Sequence, residues 1–182
     1  KNWTLNVRGL DLLIRELGTD GDGTPNICLH GWLDHGVAFS RVIRGLPGRW
    51  LAPDQRGFGQ SDHIGAGGYY HFADLIPDLD ALVSAIGGPV NLLGHSMGGT
   101  VASIYAAVRP EMVNRLVVAE GLGAIEWGTP NMVERIREHL DQIKRPPGPV
   151  RIKDVDEAKE RLLKRHPGLT PDFASELAEH GT

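Results

Sequence analysis

A single cysteine, Cys28, has no partner for an internal disulfide, so nothing covalent braces this chain and a reducing compartment suits it. Its place inside Ile27-Cys28-Leu29 reads as that of a small buried hydrophobe. The formal net charge is −4 and there is no long basic cluster, which excludes nucleic acid and anionic membrane as the main partner. No stretch approaches the ~18 consecutive apolar residues of a membrane span, and the N-terminus lacks a charged-then-apolar leader. No membrane span and a cytoplasmic location are therefore expected. There is no His-Glu-x-x-His and no paired-cysteine spacing; His30 and His35 merely flank Asp34. The glycine-rich Gly65-Ala66-Gly67-Gly68 neither follows a predicted strand nor opens a helix, so it reads as a mobile loop. Neither a metal nor a cofactor is expected. No repeat is visible, and 182 residues suffice for one good core with a small appended unit.

What is present is periodicity. Trp3 to Leu17 alternates around Gly9 and predicts a β-hairpin. Short apolar segments at Asn26–Leu29, Trp50–Ala52, Val90–Leu93 and Arg115–Ala119 are separated by longer stretches with helical spacing, which predicts a mostly parallel sheet with helices on both faces. Phe72, Leu75, Ile76, Leu79, Leu82, Val83 and Ile86 recur at three- and four-residue steps as the buried stripe of one helix. After Gly121-Leu122-Gly123 charges of both signs become dense. Met132, Val133, Ile136, Leu140 and Ile143 mark an amphipathic helix whose apolar stripe is expected to close over a pocket, with Arg135, Arg137, Glu138, Asp141 and Lys144 on its solvated face. Further helices are predicted from Asp154, with Glu157 as its capping pair, and from Thr170-Pro171. The expected organisation is a core over 1–123 and a helical cap or lid over 124–182.

The sharpest signal is Gly94-His95-Ser96-Met97-Gly98-Gly99, set between the strand candidate Val90–Leu93 and the helix-compatible run from Thr100 to Ala107. G-x-S-x-G between strand and helix is a nucleophile elbow: glycines clear the space around a strained turn, and the helix N-terminus points unpaired N–H groups at the reacting centre. His30-Gly31-Trp32-Leu33 follows the first parallel strand, where such an elbow finds its second oxyanion donor. The backbone N–H groups of Trp32 and Met97 are the expected pair. His95 and Leu33 are candidate pocket residues, as is Trp127, although an aromatic there serves equally as a packing anchor.

Together with Pro53-Asp54-Gln55-Arg56-Gly57-Phe58-Gly59-Gln60-Ser61-Asp62, these motifs resemble in order and spacing the α/β-hydrolase superfamily over about Leu5 to Gly123. Within it, His30-Gly31-Trp32-Leu33-Asp34, Tyr70-His71-Phe72-Ala73-Asp74 and Glu120-Gly121-Leu122-Gly123 are similar to the serine hydrolase-like branch. The resemblance implies a helical cap after the sixth strand and a catalytic triad of Ser, acid and His. It also implies an acyl-enzyme on Ser96 formed from a small acyl substrate. Glu120, at the end of the strand after the elbow helix, is the candidate acid; a strand-end carboxylate also serves simply to cap the next loop.

The family carries its histidine near the C-terminus, after two further strands. None of His139, His166 and His180 has a motif around it, and His30 and His71 are expected to hold loops through backbone hydrogen bonds. The expectation is thus a C-terminal part of the fold missing from these residues, with strands and histidine supplied by a further segment or a second polypeptide, and an oligomeric state left open. The leading reading is a carboxylesterase-like serine hydrolase. Thioesterase, amidase, acyl-transfer, perhydrolase and carbon–carbon hydrolase activities share these motifs, while Ser96 in place of an aspartate disfavours dehalogenase and epoxide hydrolase chemistry. The rival from another class is a non-catalytic binding or receptor protein of the same fold.

Overall fold

The computed structural model describes residues 1–18, 23–65, 67–121, 132–144 and 152–181. Strands β1 (Asn2–Val7) and β2 (Leu10–Gly18) form the expected hairpin, joined through Arg8 and Gly9 at φ 55° and 86°, a two-residue turn whose twist matches the strands. β3 (Asn26–Leu29), β4 (Arg49–Pro53), β5 (Val90–His95) and β6 (Val113–Ala119) complete one sheet of order β1-β2-β4-β3-β5-β6. β1, β2 and β4 pair antiparallel, whereas β4, β3, β5 and β6 run parallel.

Alternation along the strands divides the core in two. Ile27, Leu29, Leu51, Val90 and Leu92 face the helices α1 (Leu75–Ile86) and α2 (Met97–Val108), joined by Leu79, Leu82, Val83, Val101 and Tyr105. The intervening residues Cys28 and Ala52 face the other way, onto Phe39 and Ile43 of the β3–β4 connection. Burial pushes the Cys28 thiol up to about 12, so it packs as an inert hydrophobe.

Beyond β6 lie α3 (Met132–Lys144), α4 (Val155–Arg165) and α5 (Pro171–Gly181). Asp154 caps α4 by accepting from the Glu157 N–H at 2.9 Å, and the Glu157 carboxylate accepts from Lys153 N–H at 2.8 Å, as the sequence pair predicts. None of these helices is long and apolar enough to cross a membrane among the described residues. Two expectations are corrected. Phe72 belongs to a 3-10 turn ahead of α1 and is exposed, because the turn's tighter winding carries it off the helix stripe. The α3 residues Val133, Ile136, Leu140 and Ile143 are all exposed, so the stripe does not close over a pocket among the described residues.

Helix α5 instead docks on the β3–β4 connection. Ala174 and Ala178 are buried there, Ser40 Oγ donates to Glu176 at 2.8 Å, Arg41 lies over the Phe173 ring at 4.8 Å, and the His35 Nε2 meets the Leu177 carbonyl at 3.0 Å. With Nε2–H donating, Nδ1 of His35 is a buried atom with no partner among the described residues, as is Nδ1 of His180 on α5. Protonating His35 would bury an unsatisfied N–H as well as a charge. Burial accordingly holds the His35 imidazole below its usual range, against the opposing pull of Asp54, Asp34 and the Leu177 carbonyl, with Arg15 adding to the depression. A base kept neutral in the fold adds stability that is complete above the unfolded value of 6.5 and drains away as pH falls below it. With the intrinsic acid slowing of exchange divided out, amide protection across α5 is therefore expected to fall several-fold more between pH 7.5 and 5 in the native protein than in His35→Gln, which keeps a donor but does not titrate. Equal acid responses in the two proteins would remove His35 from the interface.

Candidate active site

The strand order reverses beside β3: β4 lies on one side of it and β5 on the other. Loops leaving the carboxyl ends of β3 and β5 therefore diverge around a crevice, the usual ligand position in an open parallel sheet. Residues 30–35 leave β3 there, and Ser96 leaves β5.

Ser96 joins β5 to α2 at φ 49°, ψ −114°, a conformation that costs a side-chain-bearing residue roughly 1–3 kcal/mol. The surroundings hold it. Its N–H donates to the Ala119 carbonyl at the end of β6, and its carbonyl accepts from Thr100 N–H, both at 3.1 Å. A Cβ on Gly98 would overlap the Leu29 carbonyl, and one on Gly121 would overlap the backbone of Ser96 itself. These two close approaches explain why the sequence has glycine at both positions. Gly31 lies on the serine from the β3 side: a Cβ there would sit 3.4 Å from Ser96 Cβ and 3.0 Å from His95 Nδ1. Neither Trp32 nor Met97 spends its backbone N–H on an acceptor among the described residues.

The loop from β3 is fixed by a buried imidazole. His30 Nε2 accepts from Gln55 N–H at 2.9 Å, so its proton sits on Nδ1, which donates to the Gly31 carbonyl at 2.8 Å. Burial is the main cause holding this imidazole below its usual range. Gln55 returns a side-chain bond to the His30 carbonyl at 2.8 Å. Behind it, Asp54 accepts from Arg15 Nε and Nη2 at 3.2 and 2.8 Å and from the N–H groups of Gly36 and Gln60 at 2.7 and 3.0 Å. The motif 53–62 thus ties the hairpin to the β3 loop that approaches Ser96.

A cavity of about 550 Å³ opens in front of these loops. Trp32, Leu33, Phe58, Phe72, Leu75 and Met97 form most of its wall, with Arg56, His63, His71 and Tyr70 contributing the polar groups. Trp32 and Phe58 meet edge to face with ring centroids 5.3 Å apart. Tyr70 Oη bonds His63 Nδ1 at 3.2 Å and accepts from Ile64 N–H at 2.9 Å. Of the residues singled out by sequence, Leu33, Trp32 and Met97 lie on this cavity. His95 is exposed beside Gly31, away from the lining, and Trp127 lies outside the described residues. Glu120 follows β6 at φ 64°, is exposed, and precedes the glycine packed on Ser96. Sequence reasoning missed Phe58, Tyr70 and Phe72 as wall residues. The glycine Gly57, against which the Tyr70 ring packs, was the available signal.

No histidine ring hydrogen-bonds Ser96 among the described residues, and no group of three or more His, Cys, Asp or Glu that could hold a metal is found among them.

A family model described as alpha/beta hydrolase fold matches residues 26–179. The chain is 33% identical over 165 residues to a serine hydrolase-like protein of Danio rerio, covering 86% of this chain and 51% of that one. It is 31% identical over 168 residues to serine hydrolase-like protein 2 of Homo sapiens, covering 88% and 54% respectively. The chain thus spans about half the length of the curated relatives it matches. Among solved structures, the thioesterase domain from the curacin biosynthetic pathway superposes with a TM-score of 0.85 at 26% identity, over 99% of this chain and 64% of that domain.

Proposed function

The chain belongs to the alpha/beta hydrolase fold family, and from that premise we propose that it is the Ser96-bearing part of a serine hydrolase acting on a carboxylic ester or a similar acyl compound. The observation that carries the reading is the strained Ser96 at φ 49°, ψ −114°, held between β5 and α2 with Gly31 against its side chain. Such strain persists only where the surroundings enforce it, and it marks functional positions.

In this reading Ser96 Oγ attacks the substrate carbonyl carbon as a base removes its proton. The carbonyl π pair moves onto oxygen, and the N–H groups of Trp32 and Met97 receive that oxyanion; loss of one such donor typically costs ~3 kcal/mol of transition-state stabilisation. Collapse expels the alcohol, which takes the proton from the base, and water repeats the sequence on the acyl-enzyme to regenerate Ser96. The base is a histidine from the part of the protein outside these 182 residues, and Glu120 is the acid that orients it. Acyl transfer and carbon–carbon hydrolysis would use the same serine. A non-catalytic receptor role, the second reading, draws its support from the absence of any histidine bonded to Ser96 among the described residues.

The test is labelling of the full-length protein with a fluorophosphonate followed by peptide mapping. Stoichiometric label on Ser96 is the expected result. A full-length protein that stays unlabelled and hydrolyses no activated ester would favour the receptor reading instead.

A further inference from the structure

Among the described residues the cavity wall carries one permanent charge, that of Arg56, and that charge is already spent. Arg56 is 5% exposed. Its Nε donates to Asp78 Oδ2 at 2.5 Å and its Nη2 to Asp78 Oδ1, a bidentate pair in which both ends of the guanidinium edge are occupied. Its Nη1 lies 3.9 Å from Asp74, which accepts in turn from Arg8 Nη1 at 2.8 Å. Two arginines thus face two carboxylates, and no formal charge of this cluster is left for a ligand. The hydrogen bonds to Asp78 hold the Arg56 guanidinium firmly in its charged form against the cost of burial. Apart from His63, His71 and Tyr70, the rest of the described wall is apolar or aromatic: Trp32, Leu33, Phe58, Phe72, Leu75 and Met97. A charged ligand group entering here would shed its water and find no free counter-ion among the described residues, a cost that an apolar group does not meet.

Resting on the hydrolase reading above, we propose that this cavity selects an uncharged, ring-bearing acyl group and rejects acyl groups that carry a second carboxylate or an ammonium, and that Asp78 sets this selectivity by occupying Arg56. Asp78 is a positioning residue in this scheme. It touches the guanidinium, and the guanidinium is what a ligand would meet. Freed from Asp78, Arg56 becomes a bidentate carboxylate receptor in an otherwise apolar pocket.

Three ligands of one shape separate the possibilities: 4-phenylbutanamide, 4-phenylbutyrate and 4-phenylbutylammonium, titrated by NMR at pH 8 into full-length Ser96→Ala protein. Removing the serine makes the readout independent of catalysis, so a failure of the hydrolase reading shows in Ser96 labelling and a failure of this inference shows in the binding order. The amide is expected to bind about tenfold more tightly than either charged ligand. Adding Asp78→Asn is expected to raise 4-phenylbutyrate affinity about tenfold while leaving the amide nearly unchanged. Because Asp78 is buried and its variant risks misfolding, Phe72→Ala provides a second arm at an exposed wall position: it should weaken the amide several-fold. Carboxylate binding equal to or tighter than amide binding in the Ser96→Ala protein would overturn the inference. So would no amide binding at all, an amide affinity unmoved by Phe72→Ala, or a folded Asp78→Asn protein with unchanged carboxylate affinity.

Discussion

Replacing Arg15 by leucine is expected to destabilise the protein by about 3–5 kcal/mol, the usual result of stranding one member of a buried ion pair. Arg15 is 3% exposed and Asp54 is fully buried. Leucine would leave the Asp54 carboxylate with only the N–H groups of Gly36 and Gln60 as donors among the described residues. For a chain of this length the loss corresponds to a fall in Tm on the order of 10 °C. A pH signature accompanies it. Burial by itself pushes the Asp54 carboxyl up, but the hydrogen bonds from Arg15, Gln60 and Gly36 together outweigh it and hold the carboxyl below its usual value of 3.8. A depressed acid contributes stability that is complete above the unfolded value and lost as pH falls below it. In Arg15→Leu the largest opposing contribution is gone and burial prevails, so the carboxyl is raised in the fold and the variant's deficit is largest at neutral pH and narrows as pH falls. Thermal unfolding at pH 7.5 and pH 5 reads both effects. A variant within 2–3 °C of the native protein at both values, roughly 1 kcal/mol, would show that Asp54 is satisfied without its arginine.

That pair also shows where the sequence was legible and where it was not. Elements with local signatures were readable: the Arg8-Gly9 hairpin turn, the Asp154/Glu157 cap, the stripe Leu75, Leu79, Leu82 and Val83, and the strand–Ser96–helix junction. Each is written within a dozen residues, where period and capping chemistry act. Arg15 with Asp54, Arg56 with Asp78 and His35 with Leu177 join residues 39, 22 and 142 positions apart, and periodicity is silent about such pairs. Phe72 and the α3 stripe failed for a different reason. Apolar spacing tells which residues share a helix face and not what that face meets, and here the structure leaves both exposed. The glycines were read only in part. Gly94, Gly98 and Gly99 announced the elbow by motif, whereas Gly31 and Gly121, which press on Ser96 from β3 and β6, depend on a sheet order that only the fold supplies.

Ser96→Gly is expected to be more stable than the native protein and devoid of activity. A serine at φ 49°, ψ −114° stores roughly 1–3 kcal/mol that glycine does not incur. Glycine returns about 0.4–1 kcal/mol of that through the greater freedom of its unfolded chain, so a net gain of about 1 kcal/mol remains. Ser96→Ala keeps the Cβ and therefore the strain, and its stability should stay within about 0.5 kcal/mol of native. Chemically the two variants are alike: both lack Oγ, so fluorophosphonate labelling disappears and ester hydrolysis by the full-length protein falls at least ~10⁴-fold. Stability then follows the Cβ, and activity follows the hydroxyl. Paired thermal unfolding and labelling of the three proteins separates the two dependences. Glycine no more stable than alanine would mean that the elbow is relaxed and that the backbone angle carries no functional information. Labelling that survives in Ser96→Ala would place the nucleophile on another residue, and with it would fall the reading of the Trp32 and Met97 N–H groups as donors to an oxyanion formed at Ser96.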